Sequence, residues 1–258
     1  MDPIDTRVGV IIDGDNRFLG RSVFADWSRD MTGQIDAVLA ILGVREITAS
    51  EREVLRLISL CTTSPDARIW PLKLTRLIAS YGDAAAGYYG GQLVSTSKIM
   101  GPGTASSAGR ALHWIGERVG EDPSDAAVAE ALAAWRARGE GRIGGFGVPF
   151  RDVDERRVAL LQLCAGTPIE RRRHWRLHLQ VVAAMPELEP NCVISIAALL
   201  LDIEVAPAQC GLALALAMGH VFLAHAVEAA AIDGARAHAI PADMVEFRGA
   251  ARRSTSPK

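Results

Sequence analysis

Residues 190–231 read PNCVISIAALLLDIEVAPAQCGLALALAMGHVFLAHAVEAAA, and the fold turns on how this stretch is accommodated. Two very apolar runs, 193–201 and 210–231, flank a short acidic-apolar connection through Asp202 and Glu204. Both runs are predicted helices. Residues 210–227 approach the ~20 apolar residues that a bilayer span needs. His220 and His225, with Glu228 and Asp233 close behind, make lipid exposure costly. A helix apolar on nearly all sides is otherwise one surrounded by protein, so the expectation is a buried core or subunit-interface helix.

Working outward, the 258 residues are 49% hydrophobic but only 5% aromatic, so the interior must be packed from Ala, Leu, Val and Ile, as in helical proteins. Residues 8–19, VGVIIDGDNRFL, read as a small hairpin around Asp13-Gly14-Asp15-Asn16. Helical spacing follows over 22–42, over 50–61 behind a Ser50 cap with Glu53 three positions on, and over 70–81, with Pro71 at its start and Gly82 at its end. Residues 99–111, IMGPGTASSAGRA, read as a flexible loop that feeds a helix through Leu112, Ile115 and Val119. Ser124 opens a further helix that stops at Gly139. Gly144-Gly145-Phe146-Gly147-Val148-Pro149 forms a second glycine loop before a helix near Asp154, and 167–185 is again helical. Disorder is expected after Arg248.

Charge and cysteine content narrow the function. With 28 Lys+Arg against 30 Asp+Glu the net charge is −2, which offers no cationic field for nucleic acid. Cys61, Cys164, Cys192 and Cys210 are dispersed, without a C-x-x-C pair, so neither zinc nor a disulfide framework is expected. His220 and His225 are five residues apart and do not project together as a metal pair. The N-terminus lacks the basic-then-apolar pattern of a secretory signal, which suggests a cytoplasmic protein acting away from membranes.

Several stretches occur in the order of a known family. Residues 190–231 are similar to the C-terminal segment of the citrate synthase superfamily, a Pro-Asn turn and helix followed by a long helix ending in Ala-His-x-x-Glu, here Ala224 to Glu228. Residues 76–82, RLIASYG, resemble its Arg-x-x-Ala-Ser-x-Gly helix end. GPGTASSAGRAL (101–112) sits where the family has Gly-Pro-x-His-Gly-Gly-Ala, and GGFGVPFRDVDERR (144–157) resembles Gly-Phe-Gly-His-Pro followed by Asp-Pro-Arg. The short N-terminal half is closer to citryl-CoA lyases. The resemblance implies an all-α homodimer with a minor N-terminal β-hairpin, a large domain from 1–115 and 190–258, and a small inserted domain from 116–189. It also implies a cleft for a CoA thioester cosubstrate and a small carboxylic acid, with no tightly bound cofactor.

The family's chemistry makes or breaks a carbon–carbon bond beside a thioester carbonyl, using a carboxylate base and donors for the developing enolate oxygen. Carried over loop by loop, the first imidazole position falls on Thr104 and the second on Val148. The carboxylate falls on Val193, or on Cys192 if the turn shifts by one, and a further acid-binding histidine falls on Asp66. The arginine usual on the last long helix is replaced near Met218. Valine cannot titrate, so ordinary citrate chemistry should be weak or absent. Asp66 and Thr104 remain as candidate catalytic groups, and Arg156 and Arg151 as carboxylate or phosphate clamps, with Asn191, Val148 and Val193 beside the substrate. Gly144, Gly145, Phe146 and Gly147, with Ser106 and Ser107, are candidates for close backbone or hydroxyl contact with the CoA moiety. Against these stand simpler roles: glycines that permit a turn, Asp66 as a local cap, and the basic run Arg171-Arg172-Arg173-His174 as a solvated face. Two classes therefore remain open, a divergent acyl-CoA lyase or acyltransferase and a metabolite- or partner-binding pseudoenzyme.

Overall fold

The computed structural model describes residues 6, 8–30, 33–63, 66–97, 100–140, 142–148, 152–232, 242–244, 246 and 248–249. Arg151, Ser64, Pro65 and the tail from 250 lie outside the described residues. The chain begins with an antiparallel three-stranded sheet, β1 (Gly9–Ile12), β2 (Asp15–Phe18) and β3 (Arg21–Ser22), in the order β1-β2-β3. Asp13 and Gly14 join β1 to β2 at φ of 53° and 77°, the left-handed pair that a two-residue hairpin turn needs. Where helical spacing predicted one element over 22–42, a five-residue π turn (Val23–Trp27) and α1 (Ser28–Asp30) precede α2 (Gln34–Ile41). The Trp27 indole N–H donates to the Phe18 carbonyl at 2.9 Å and ties this turn to the sheet.

The helices that follow are α3 (Ala49–Thr62), α4 (Trp70–Tyr81), α5 (Ala84–Ser95), α6 (Gly101–Val119), α7 (Asp125–Ala137), α8 (Glu155–Cys164), α9 (Arg173–Ala183), α10 (Cys192–Asp202), α11 (Cys210–Ala217) and α12 (Gly219–Ala230). The cap of α3 is Thr48 rather than Ser50. Thr48 and Glu51 form a reciprocal capping box, two residues earlier than the Ser50–Glu53 pair in the sequence. The glycine- and serine-rich run expected to be a loop is helical from Gly101, because Pro102 suits a first helical turn and Ala105, Ala108 and Ala111 then pack into the core. The single long helix expected over 210–231 breaks at Met218 into α11 and α12, and the 167–185 helix likewise resolves into a 3-10 turn (Pro168–Arg171) followed by α9.

Every residue of α10 from Cys192 to Leu201 is buried. Around it α6, α8, α9, α3 and α11 pack a continuous apolar core that runs through Leu39, Leu112, Leu132, Trp175 and Leu199. A second unit pairs α4 with α5 and lays both against α12, with Leu72, Val221 and Phe222 at one end and Ala79, Ala226 and Ala229 at the other. Residues 207–230 are long and apolar enough to cross a membrane by composition, but half of the most apolar window is buried against protein. Between the α10-centred core and the α4–α5–α12 unit lies a mostly apolar cavity.

Candidate functional site

This cavity, about 490 Å³, is bounded by the start of α4, the N-terminal turn of α6, the N-terminal half of α10 and the break between α11 and α12. Its size is within the range of small-molecule sites. It brings Asp66, Thr104, Phe146, Gly147, Arg156, Asn191 and Val193 to one wall system, although they span 128 residues of sequence, 66–193. Val148 is half-buried and off that wall. Ser106 and Ser107 are also elsewhere: Ser106 Oγ accepts from the Gly211 N–H at 3.1 Å, and Ser107 Oγ donates to the Arg142 carbonyl at 2.8 Å, so both hydroxyls staple α6 to neighbouring segments.

The glycine loop is held by packing on both sides. A Cβ on Gly144 would lie 1.9 Å from the Thr104 carbonyl oxygen, and one on Gly145 would lie 2.5 Å from the Ile194 amide nitrogen at a φ of +90°. Neither position admits a side chain. The loop is then clamped to the entry of α10: the Asn191 N–H donates to the Gly145 carbonyl at 2.8 Å, and the Gly147 N–H donates to the Glu189 carbonyl at 2.7 Å. The Asn191 side chain closes the clamp, its Nδ2 donating to the Gly147 carbonyl at 2.8 Å while its Oδ1 caps α10 through the Val193 N–H at 2.9 Å.

Arg156 is the one cation fixed by a fully buried partner on this wall. Asp154, 1% exposed, accepts from Arg156 Nε at 2.7 Å and Nη2 at 2.8 Å, and from the Cys192 N–H at 2.8 Å. Burial works against the Asp154 carboxylate, but the Arg156 bonds and the Cys192 amide outweigh it and hold the pKa below the ordinary carboxylate range. Burial also disfavours the charged Arg156, and the Asp154 bonds more than compensate, which pushes its pKa up. Nη1 takes none of these bonds. Cys192 also borders the cavity, but burial pushes its thiol up to about 12, so it is a neutral, inert wall group.

Asp66 sits in the turn before α4, where its Oδ1 accepts the Arg68 N–H at 2.9 Å and its carboxylate pairs with the Arg68 guanidinium at 2.6 Å. Thr104 Oγ1 lies 3.0 Å from the Gly101 carbonyl and 3.2 Å from that of Met100. Its proton is thus directed into its own helix, while its lone pairs remain able to accept. No histidine among the described residues borders the cavity. His225 is instead buried between helices with its Nδ1 3.3 Å from Arg76, which also pairs with Glu228, so the matched Arg76 and Ala-His-x-x-Glu segments meet as a brace between α4 and α12. Arg172 and Arg173 are not a solvated face. They bond to Glu51 and the Asp202 carbonyl, and to the Gly116 carbonyl and Glu117, respectively.

Sequence reading missed the cavity's other boundary. Arg68 and Lys73 are charged groups on its border, and Leu72, Met100, Ile196, Leu214, Met218 and Phe222 make most of it apolar. These six come from separate helices or their flanks, so no local spacing pattern marks them as a set. Of the six, Met218 is singled out in the sequence, as the place of the missing family arginine.

No family model and no curated protein matches this sequence. Solved structures do. A citryl-CoA lyase from Hydrogenobacter thermophilus superposes with a TM-score of 0.78 at 16% identity, over 98% of this chain and 97% of that one. The ATP citrate lyase of Methanothrix soehngenii, in complex with citrate and coenzyme A, gives 0.73 at 14% identity over the whole of this chain and 44% of its own. A mutant ATP citrate lyase from Methanosaeta concilii, in complex with (3S)-citryl-CoA, gives 0.72 at 14% over 97% of this chain and 42% of that one. This chain therefore spans less than half of either ATP citrate lyase. The likeness establishes the architecture expected above, an all-α, citrate synthase-like fold with a minor N-terminal sheet.

Proposed function

We propose that the cavity binds a CoA thioester or a carboxylic acid, and that the protein is a citryl-CoA lyase-like enzyme running a divergent carbon–carbon or thioester reaction. The observation that carries this reading is Arg156, its guanidinium anchored by buried Asp154 on the same wall that Asp66 and Thr104 reach. A partly buried guanidinium held in this way is suited to a carbonyl or carboxylate oxygen. The coenzyme A and citryl-CoA held by structures of the same fold support the ligand class. In the step proposed, the Asp66 carboxylate takes a proton from the carbon beside the thioester carbonyl, and the enolate oxygen receives hydrogen bonds from Arg156 and from Thr104 Oγ1 after its hydroxyl rotates out of its own helix. Ordinary citrate formation or cleavage should be weak or absent, because Val193 stands on the cavity wall at a matched position where a carboxylate is needed. Arg151 is assigned to a CoA phosphate.

Deuterium uptake at the acyl α-carbon of acetyl-CoA in D2O, followed by NMR, tests the reaction. Uptake is expected with the native protein and at least tenfold less with Asp66→Asn. Arg156→Lys, which keeps a charge beside Asp154 but loses the planar fork, should weaken thioester binding about tenfold or more, in line with a charge-assisted bond of ~1.5–3 kcal/mol. Binding without any uptake supports the second reading, a non-catalytic metabolite- or partner-binding relative, which the absence of a histidine on the described cavity wall favours. The division into a large domain (1–115 and 190–258) and a small one (116–189), a homodimer and a cytoplasmic setting belong to the same proposal. The four cysteines, all buried and free, are in keeping with the last.

A further inference from the structure

The substrate class can be narrowed by the cavity itself, on the premise that it is the thioester or acid site proposed above. From the boundary of this cavity we infer that the acyl group it accepts is an apolar chain carrying a single oxygen-bearing head, rather than a tricarboxylate. Leu72, Met100, Ile196, Leu214, Met218 and Phe222 make up much of its lining. None of these can hydrogen-bond a carboxylate, and a carboxylate taken out of water without partners neutralises or does not enter.

The charge count leads to the same conclusion. Among the described residues the cations bordering the cavity are Arg68, Lys73 and Arg156, of which Arg68 pairs with Asp66 and Arg156 with Asp154. One positive charge is left over, borne in effect by exposed Lys73 at the edge. That balance suits a neutral thioester carbonyl or a monocarboxylate, whereas a trianion would carry two charges without an answering cation. The hydroxyls of Thr62 and Ser95, which also border the space, already donate to the carbonyls of Ser59 and Gln92 at 3.0 and 2.8 Å. They leave no donor row for further carboxylates.

Straight-chain CoA thioesters from acetyl through hexanoyl to decanoyl, the matching free acids, and citrate are the probes, measured by titration calorimetry against the full chain. Affinity should rise about fourfold per added methylene, the ~0.8 kcal/mol of a buried CH₂ converted at 1.4 kcal/mol per decade, and then level off once the cavity is full. Citrate should bind at least a hundredfold more weakly than the best acyl ligand. Comparing thioesters with free acids identifies which source of the acyl chain is used. Met218→Trp, at a half-buried position on the wall, should move the plateau to shorter chains. If Met218→Trp fails to fold, Leu214→Phe reads the same shift. Affinity independent of chain length, or citrate binding as tightly as hexanoyl-CoA, overturns this inference and leaves the proposed site standing. No binding of any thioester or acid overturns both.

Discussion

His178 is completely buried on α9, its Nε2 3.1 Å from the Ser195 hydroxyl of α10, and burial lowers its pKa to about 3. In the unfolded chain the same imidazole titrates near 6.5, so between these values the unfolded state binds the extra proton. Stability is therefore full above about pH 6.5 and declines by up to about 1.4 kcal/mol per pH unit as acid is added below it. Urea midpoints from pH 7.5 to 4.5 should show this fall, and the double replacement His178→Phe with Ser195→Ala, which removes both polar partners, should flatten it. At Gly144 the constraint is steric. Gly144→Ala sets a methyl 1.9 Å from a backbone oxygen that cannot swing away, and a loss of ~2–3 kcal/mol in chemical denaturation is expected, with the glycine loop displaced from α6.

At the scale of elements, α10 is both the centre of the core and a wall of the cavity, and its first two N–H groups are taken by side chains. Asp154 takes the Cys192 N–H and Asn191 takes the Val193 N–H, so this terminus acts as the anchor for the loop. Asn191→Ala should cost ~1 kcal/mol for the cap. Amide exchange at Gly147 should quicken as the clamp opens, while Leu199 deep in α10 keeps its protection; equal acceleration at both would deny the clamp its local role. One overturned reading has a clear cause: residues 99–111 read as a loop feeding a helix because glycine lowers helix propensity, yet α6 is helical from Gly101. In α5, Gly91 lies where a Cβ would be 1.8 Å from Thr75 Oγ1, so the missing side chain permits close packing on α4 that outweighs its local cost. A single sequence cannot reveal that compensation, since the neighbour is on another helix.

For the whole molecule, the apolar stretch that opened the reading is only half accounted for by one chain. Leu212 and Leu216 on α11, and Leu223 and Val227 on α12, remain 48–57% exposed in a stripe opposite the faces that meet α6 and α4. Such a stripe is a candidate dimer surface. Sedimentation at micromolar concentration should give a dimer, and Leu216→Glu with Leu223→Glu should give a folded monomer with an unchanged circular-dichroism spectrum. A native monomer would leave that surface without the proposed partner. What the sequence by itself determined is the class and much of the layout: the hairpin, helix 70–81 with its proline start and glycine stop, the apolar helix read over 193–201, and the order of motifs that resembles the citrate synthase superfamily. Periodicity, capping and turn chemistry are local, so they survive in a linear string. The meeting of Asp66, Thr104, Arg156 and Val193 in one cavity, the absence of Val148 from its wall, the spending of Ser106 and Ser107 on internal bonds, and the apolar lining from α4, α6, α10, α11 and α12 were decided only by tertiary structure. They depend on which helix faces which, and that is set by the summed packing of side chains distant in sequence rather than by any residue's own neighbours.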